Sequence, residues 1–151
     1  MYTNAITLDL PHAKALTRVK DALSVQGFGI LSEIDVRATF ETKLGTAVAE
    51  SLGDYIILGA CNPHLASRGL AADPSLGALL PCNVVVRRSP ESTHTTVEAI
   101  DPQTMVQLTD NEHVAAVATD ADTRLRAALE ALTATAGSDN DNDNDNDNDR
   151  R

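Results

Sequence analysis

Two apolar runs, each joined to a Cys-Asn pair, constrain this chain more than any other feature. The first is Tyr55-Ile56-Ile57-Leu58-Gly59-Ala60-Cys61, followed by Asn62-Pro63. The second is Cys82-Asn83-Val84-Val85-Val86, preceded by Leu80-Pro81. A run this short and this poor in polar residues predicts a strand central in a sheet, with apolar cover on much of both sides. Pro81 has no amide to donate, so it marks the start of the next strand, expected over 82–88. If the two strands are antiparallel neighbours, the end of one and the start of the other share an edge of the sheet. Both cysteines and both asparagines then converge there.

The rest of the chain supplies partners for those strands. Tyr2 to Leu8 alternates and reads as a first strand. His12, Leu16, Val19 and Leu23 fall at helical spacing. Pro11 suits a first helical turn, and Gly27 the left-handed position past the last one. Phe28 to Ile34 reads as a second strand, with Phe28, Ile30 and Ile34 on one face. Asp35 can cap a helix to about Leu44, with a looser or second turn to Leu52. Gly53-Asp54 then breaks the chain. Asn62 as cap and Pro63 at the first helical position open a short helix that Asp73-Pro74 ends near Ala72.

Thr93 to Ile100, rich in β-branched residues, reads as a fifth strand in a hairpin with the fourth. Pro102 to Leu108 fits a short helical turn, with Met105, Val106 and Leu108 packing inward. From a cap at Asp110 or Asn111, the stripe Val114, Val117, Ala118, Ala121, Leu125, Ala128, Leu129 and Leu132 predicts a helix of about six turns ending at Gly137. The expected class is α+β: a mainly antiparallel sheet with long helices packed on one face.

Length and charge narrow the partners. Of 151 residues, Asp139 to Asp149 alternate Asp and Asn without one apolar side chain. Such a run cannot offset its ordering entropy, so a single domain is expected over 1–136 and a disordered Asp-Asn tail over 137–151. The formal net charge is −10. That acidity repels nucleic-acid phosphate and anionic membrane, and argues against both as partners. Abundant Asp beside only Lys14, Lys20 and Lys43 fits a protein from a salt-loving microbe. The N-terminus lacks a basic region followed by an apolar one, and no apolar run approaches the ~20 residues needed to span a bilayer. A cytoplasmic location with two free thiols is therefore expected.

The candidate site is the shared edge: Cys61, Asn62, Pro63, Cys82 and Asn83. Free amides at the start of the intervening helix favour an anion or a thiolate. The residues admit a small-ligand pocket, a thiol redox pair of Cys61 and Cys82, or a metal or haem site. They also admit two inert buried cysteines, with each Asn capping a turn. Two thiols fall short of the four ligands normal for zinc, although His64 is near enough in sequence to add a third. No metal set or cofactor is assigned, and whether the chain is an enzyme stays open. His12 is expected to pack on the first helix, and His64, His94 and His113 to lie at the surface. Glu33 and Asp35 are explained by capping and solvent. Gly27-x-Gly29 lacks the rest of a phosphate-binding loop.

Several spaced stretches together resemble one family. They are Gly27-Phe28-Gly29-Ile30-Leu31-Ser32-Glu33-Ile34-Asp35-Val36, Lys43-Leu44-Gly45, Ile57 to Pro63, Leu80 to Val86, and Asp101-Pro102 with Met105. In this order they resemble the domain-of-unknown-function 302 family over about Thr7 to Leu132. The resemblance implies a small α+β fold similar to the TATA-binding-protein class, usually as a homodimer, and no established activity. The Asp-Asn tail has no counterpart in the family pattern. Taken together, the residues and the resemblance favour a non-catalytic homodimer that binds a small molecule at the two Cys-Asn pairs. The alternative is a thiol-dependent redox enzyme, or a metal- or haem-binding protein, using Cys61 and Cys82.

Overall fold

The computed structural model describes residues 1–135; the expected disordered tail and the stop at Gly137 lie outside the described residues. Five antiparallel strands form one sheet: β1 (Thr3–Leu8), β2 (Gly29–Asp35), β3 (Asp54–Cys61), β4 (Cys82–Arg88) and β5 (Thr95–Ile100). Their order across the sheet is β1-β5-β4-β3-β2. The helix α1 (His12–Val25) links the two edge strands, and the chain returns as a meander from β2 to β5. β3 lies between β2 and β4, so the most apolar run is central, as its composition predicts.

The sheet's covered face packs against α1 and the last helix, α6 (Glu112–Thr135). Ala15, Val19 and Leu23 of α1, and Leu125, Ala128, Leu129 and Leu132 of α6, join Leu58, Val84, Val86, Val97 and Ala99 in one buried cluster. The helical stripes and the strand alternation read from the sequence meet here. The buried Thr95 hydroxyl donates to the Leu10 carbonyl at 2.8 Å, so this buried polar group is paired. His12 adds a tie of its own: its Nε2 lies 2.9 Å from the Val86 carbonyl oxygen.

Local signals set the element ends. Gly27, at φ +83°, ends α1 in a left-handed conformation that suits a residue without Cβ. Its amide donates to the Ser24 carbonyl, and that of Phe28 to the Leu23 carbonyl, both at 3.0 Å. This is the Schellman pattern, with Phe28 and Leu23 both buried beside it. The Asp35 carboxylate accepts from the Ala38 amide at 2.9 Å and caps α2 (Val36–Leu44), which α3 (Thr46–Leu52) follows. Asn111 Oδ1 accepts from the His113 and Val114 amides at the start of α6. Pro11 stands at the cap position of α1, one residue before the expected first turn.

Two expectations about side-chain direction are corrected. Between Ile30 and Ser32 the pairing with β3 shifts, leaving Leu31 as a bulge. One extra residue reverses the alternation beyond it. Ile30 pairs with Ala60 and shares the covered face, whereas Ile34 pairs with Ile57 and faces away. Glu33 takes the covered side instead and meets Lys20 of α1 at 2.8 Å. Leu108 is 70% exposed rather than inward, because the short helix α5 (Gln103–Val106) ends before it. Met105 is buried as expected. No helix among the described residues is long and apolar enough to cross a membrane.

Candidate functional site

β3 and β4 are antiparallel with Ala60 opposite Cys82, so Cys61 and Cys82 lie at one end of adjacent strands. The segment between them folds as α4 (Pro63–Ala72) and a 3-10 helix (Pro74–Leu79). Asn62 caps α4 through Oδ1, which accepts from the Leu65 amide at 3.3 Å, and Pro63 opens the helix. Its Nδ2 donates to the Gln26 carbonyl at 3.4 Å, where Arg124 of α6 also donates at 3.2 Å. Asn62 thus ties the end of α1 to the start of α4 and is itself buried.

A cavity of about 280 Å3 lies under this segment. Around it the buried side chains fall into separate groups. Leu65, Val117 and Ala121 form one small cluster, and Leu76, Met105 and Val114 another, apart from the main cluster on the sheet. Each contributes a wall: Phe28, Ala60 and Cys82 come from the main cluster, and all six residues of the two small ones line the space. Cys61, Asn62 and Pro81 close the sheet end, and Leu31 and Leu70 line it while remaining exposed.

Of the five residues singled out from sequence, Cys61, Asn62 and Cys82 line the cavity. Pro63 is exposed at the first position of α4 and is not among the lining residues. Asn83 is exposed beside Gly59, one residue out of phase with Cys82, and does not line the cavity either. The remaining walls, from Phe28, Leu31, α4, the 3-10 helix, Met105 and α6, were absent from the sequence-derived set. One signal pointed to the α6 wall: its stripe carries small Ala118 and Ala121 ahead of Leu125, Leu129 and Leu132.

The electrostatics of the site are those of an apolar interior. Cys82 is 7% exposed. Burial pushes its thiol from the ordinary 9.0 up to about 11, and the neighbouring Cys61 adds to the rise. Cys82 is therefore a neutral thiol near pH 7, the opposite of an activated nucleophile. Among the described residues, the lining contains no Asp, Glu, His, Lys or Arg. His64, weighed as a third metal ligand, is exposed on α4 and does not line the cavity. Among the described residues, no three or more His, Cys, Asp or Glu gather where a metal ion could be held.

The family model for domain of unknown function DUF302 matches residues 4–132. A crystal structure of the uncharacterized conserved protein DUF302 from Bacillus stearothermophilus is similar, with a TM-score of 0.77 and 25% sequence identity. That similarity covers 87% of this chain and 98% of the other. No curated protein matches the chain.

Proposed function

We propose that this chain, which belongs to the DUF302 family, is a non-catalytic binding module that holds a small molecule in the cavity beside Cys61 and Cys82. The observation that carries the reading is the cavity itself, with both cysteines and Asn62 in its wall. The space is half open, so its apolar wall meets water when it is empty, and an occupant that covers that wall would stabilise the fold. Acid-base chemistry needs a titratable group poised near the working pH. Among the described residues, the two thiols are the only titratable side chains in the wall, and that of Cys82 is held protonated.

The test is native mass spectrometry of the protein purified gently from its own cells. The wild type should carry a small molecule that Ala121→Phe, which fills the cavity, does not. If both proteins carry the same species, or neither carries any, the reading is overturned.

The module works as a homodimer in this proposal. Support comes from the exposed aliphatic side chains Ile34 on the edge strand β2, Leu44 on α2 and Val48 on α3. Sedimentation equilibrium should give twice the chain mass, and Val48→Lys with Leu44→Lys should shift it toward one. A monomeric wild type contradicts the dimer.

A further inference from the structure

Resting on that reading of the cavity, we infer the class of the ligand: an uncharged molecule with an aliphatic body, seated among Leu76, Val117 and Cys82, its polar end toward the exposed lining residues Leu31 and Leu70. Four observations carry this.

First, no charged side chain among the described residues lines the space, so an ionised group brought inside would lose its hydration without a partner there. Second, the single amide in the wall is already engaged at both ends, Asn62 Oδ1 with Leu65 and Nδ2 with Gln26. These bonds commit it to holding the fold and leave one N–H and one lone pair, so apolar contact supplies most of the recognition. Third, the sulfur atoms of Cys82 and Met105 present soft, polarizable surface, which suits hydrocarbon.

Fourth, the apolar lining continues to the outside. Leu31 is 70% and Leu70 40% exposed, yet both line the cavity. Leu31 reaches this position because it is the bulged residue of β2, freed from the pairing with β3. A ligand body entering past either side chain meets apolar surface. The net charge of −10 further disfavours an anionic head group there.

Volume sets the length. At about 30 Å3 for each water-sized group, 280 Å3 accommodates about nine such groups. Each methylene transferred from water into the cavity should tighten binding roughly fourfold.

The experiment is calorimetric titration of the full chain with n-alkanols from pentanol to dodecanol, beside n-alkanoates of matched length. Affinity should rise roughly fourfold per methylene to about nine carbons and then level off. The alkanoates should bind at least about tenfold more weakly, the cost of a desolvated charge. Ala121→Phe, and the milder Ala66→Leu at a half-buried lining position, should shorten the chain length at which affinity levels off.

Alkanoates that bind as tightly as alkanols, or affinity independent of length, overturn the inference. If alkanols fail while the wild type still releases a small molecule that Ala121→Phe does not, the ligand class is wrong and the site stands. Alkanol binding unchanged in both filled variants shows that the site lies elsewhere, and both proposals fall.

Discussion

Cys82 offers a sharp test of how dry the sheet end is. Its thiol is raised to about 11 from 9.0, chiefly by burial and secondarily by Cys61. Below pH 9 the thiol is protonated in both the folded and the unfolded chain, and its contribution to stability is complete. Between pH 9 and 11 the unfolded chain loses the proton while the folded chain keeps it, so unfolding is favoured as pH rises. The slope is about 1.4 kcal/mol per pH unit, and the total loss about 3 kcal/mol once pH passes the folded value. Urea denaturation of the wild type and Cys82→Ala, from pH 8 to 11.5 with reductant present, isolates this term. Groups that do not interact with Cys82 cancel in the difference; Cys61, which faces it, is removed as a variable by making the comparison in a Cys61→Ser background. The stability difference between the two proteins should shift against the wild type by about 3 kcal/mol across the range. A flat difference would mean that water reaches the sulfur in the folded state. An opposite shift would mean that the fold favours the thiolate, which would revive the redox reading.

Other substitutions probe the same region. Asn62→Ala removes the cap on α4 and the tie to Gln26, and should cost about 1–2 kcal/mol in urea denaturation. Cys61→Ser should change ligand release while costing less than about 1 kcal/mol of stability; equal folding losses in Cys61→Ser and Cys82→Ser would favour plain packing. A Cβ added at Gly69 would lie 2.6 Å from Leu76 Cδ2, so Gly69→Ala should push Leu76 into the cavity. Octanol affinity should then fall several-fold, while helix propensity, worth about 1 kcal/mol, offsets the strain. Thr95→Val should cost about 1–3 kcal/mol by leaving the Leu10 carbonyl without its donor, as read from the melting temperature.

Much of this architecture is written locally in the chain. The unbroken apolarity of Tyr55 to Cys61 places β3 inside the sheet. Gly27, Asp35, Asn62 and Asn111 mark helix ends through short-range hydrogen bonds that their residue types make predictable. The meeting of Cys61 and Cys82 follows from antiparallel pairing alone. The bulge at Leu31 has no such marker, because neither glycine nor proline occupies that position and the alternation continues plausibly through it. Its consequence, the reversal of Ile34 and Glu33, was therefore not legible. The cavity was legible only at its sheet end. Periodicity shows that Val114, Val117, Ala118 and Ala121 share an apolar face of α6. Whether that face meets side chains or empty space depends on how far α4 and the 3-10 helix stand from it, a long-range distance that no local pattern encodes.

The most direct measurement is a crystal structure of the chain under pressurised xenon, which enters accessible apolar cavities and avoids polar ones. The account predicts xenon density between Leu76, Val117 and Cys82 in the wild type and none there in Ala121→Phe. A wild-type crystal with that space closed, or filled only by ordered water hydrogen-bonded to its walls, would contradict it.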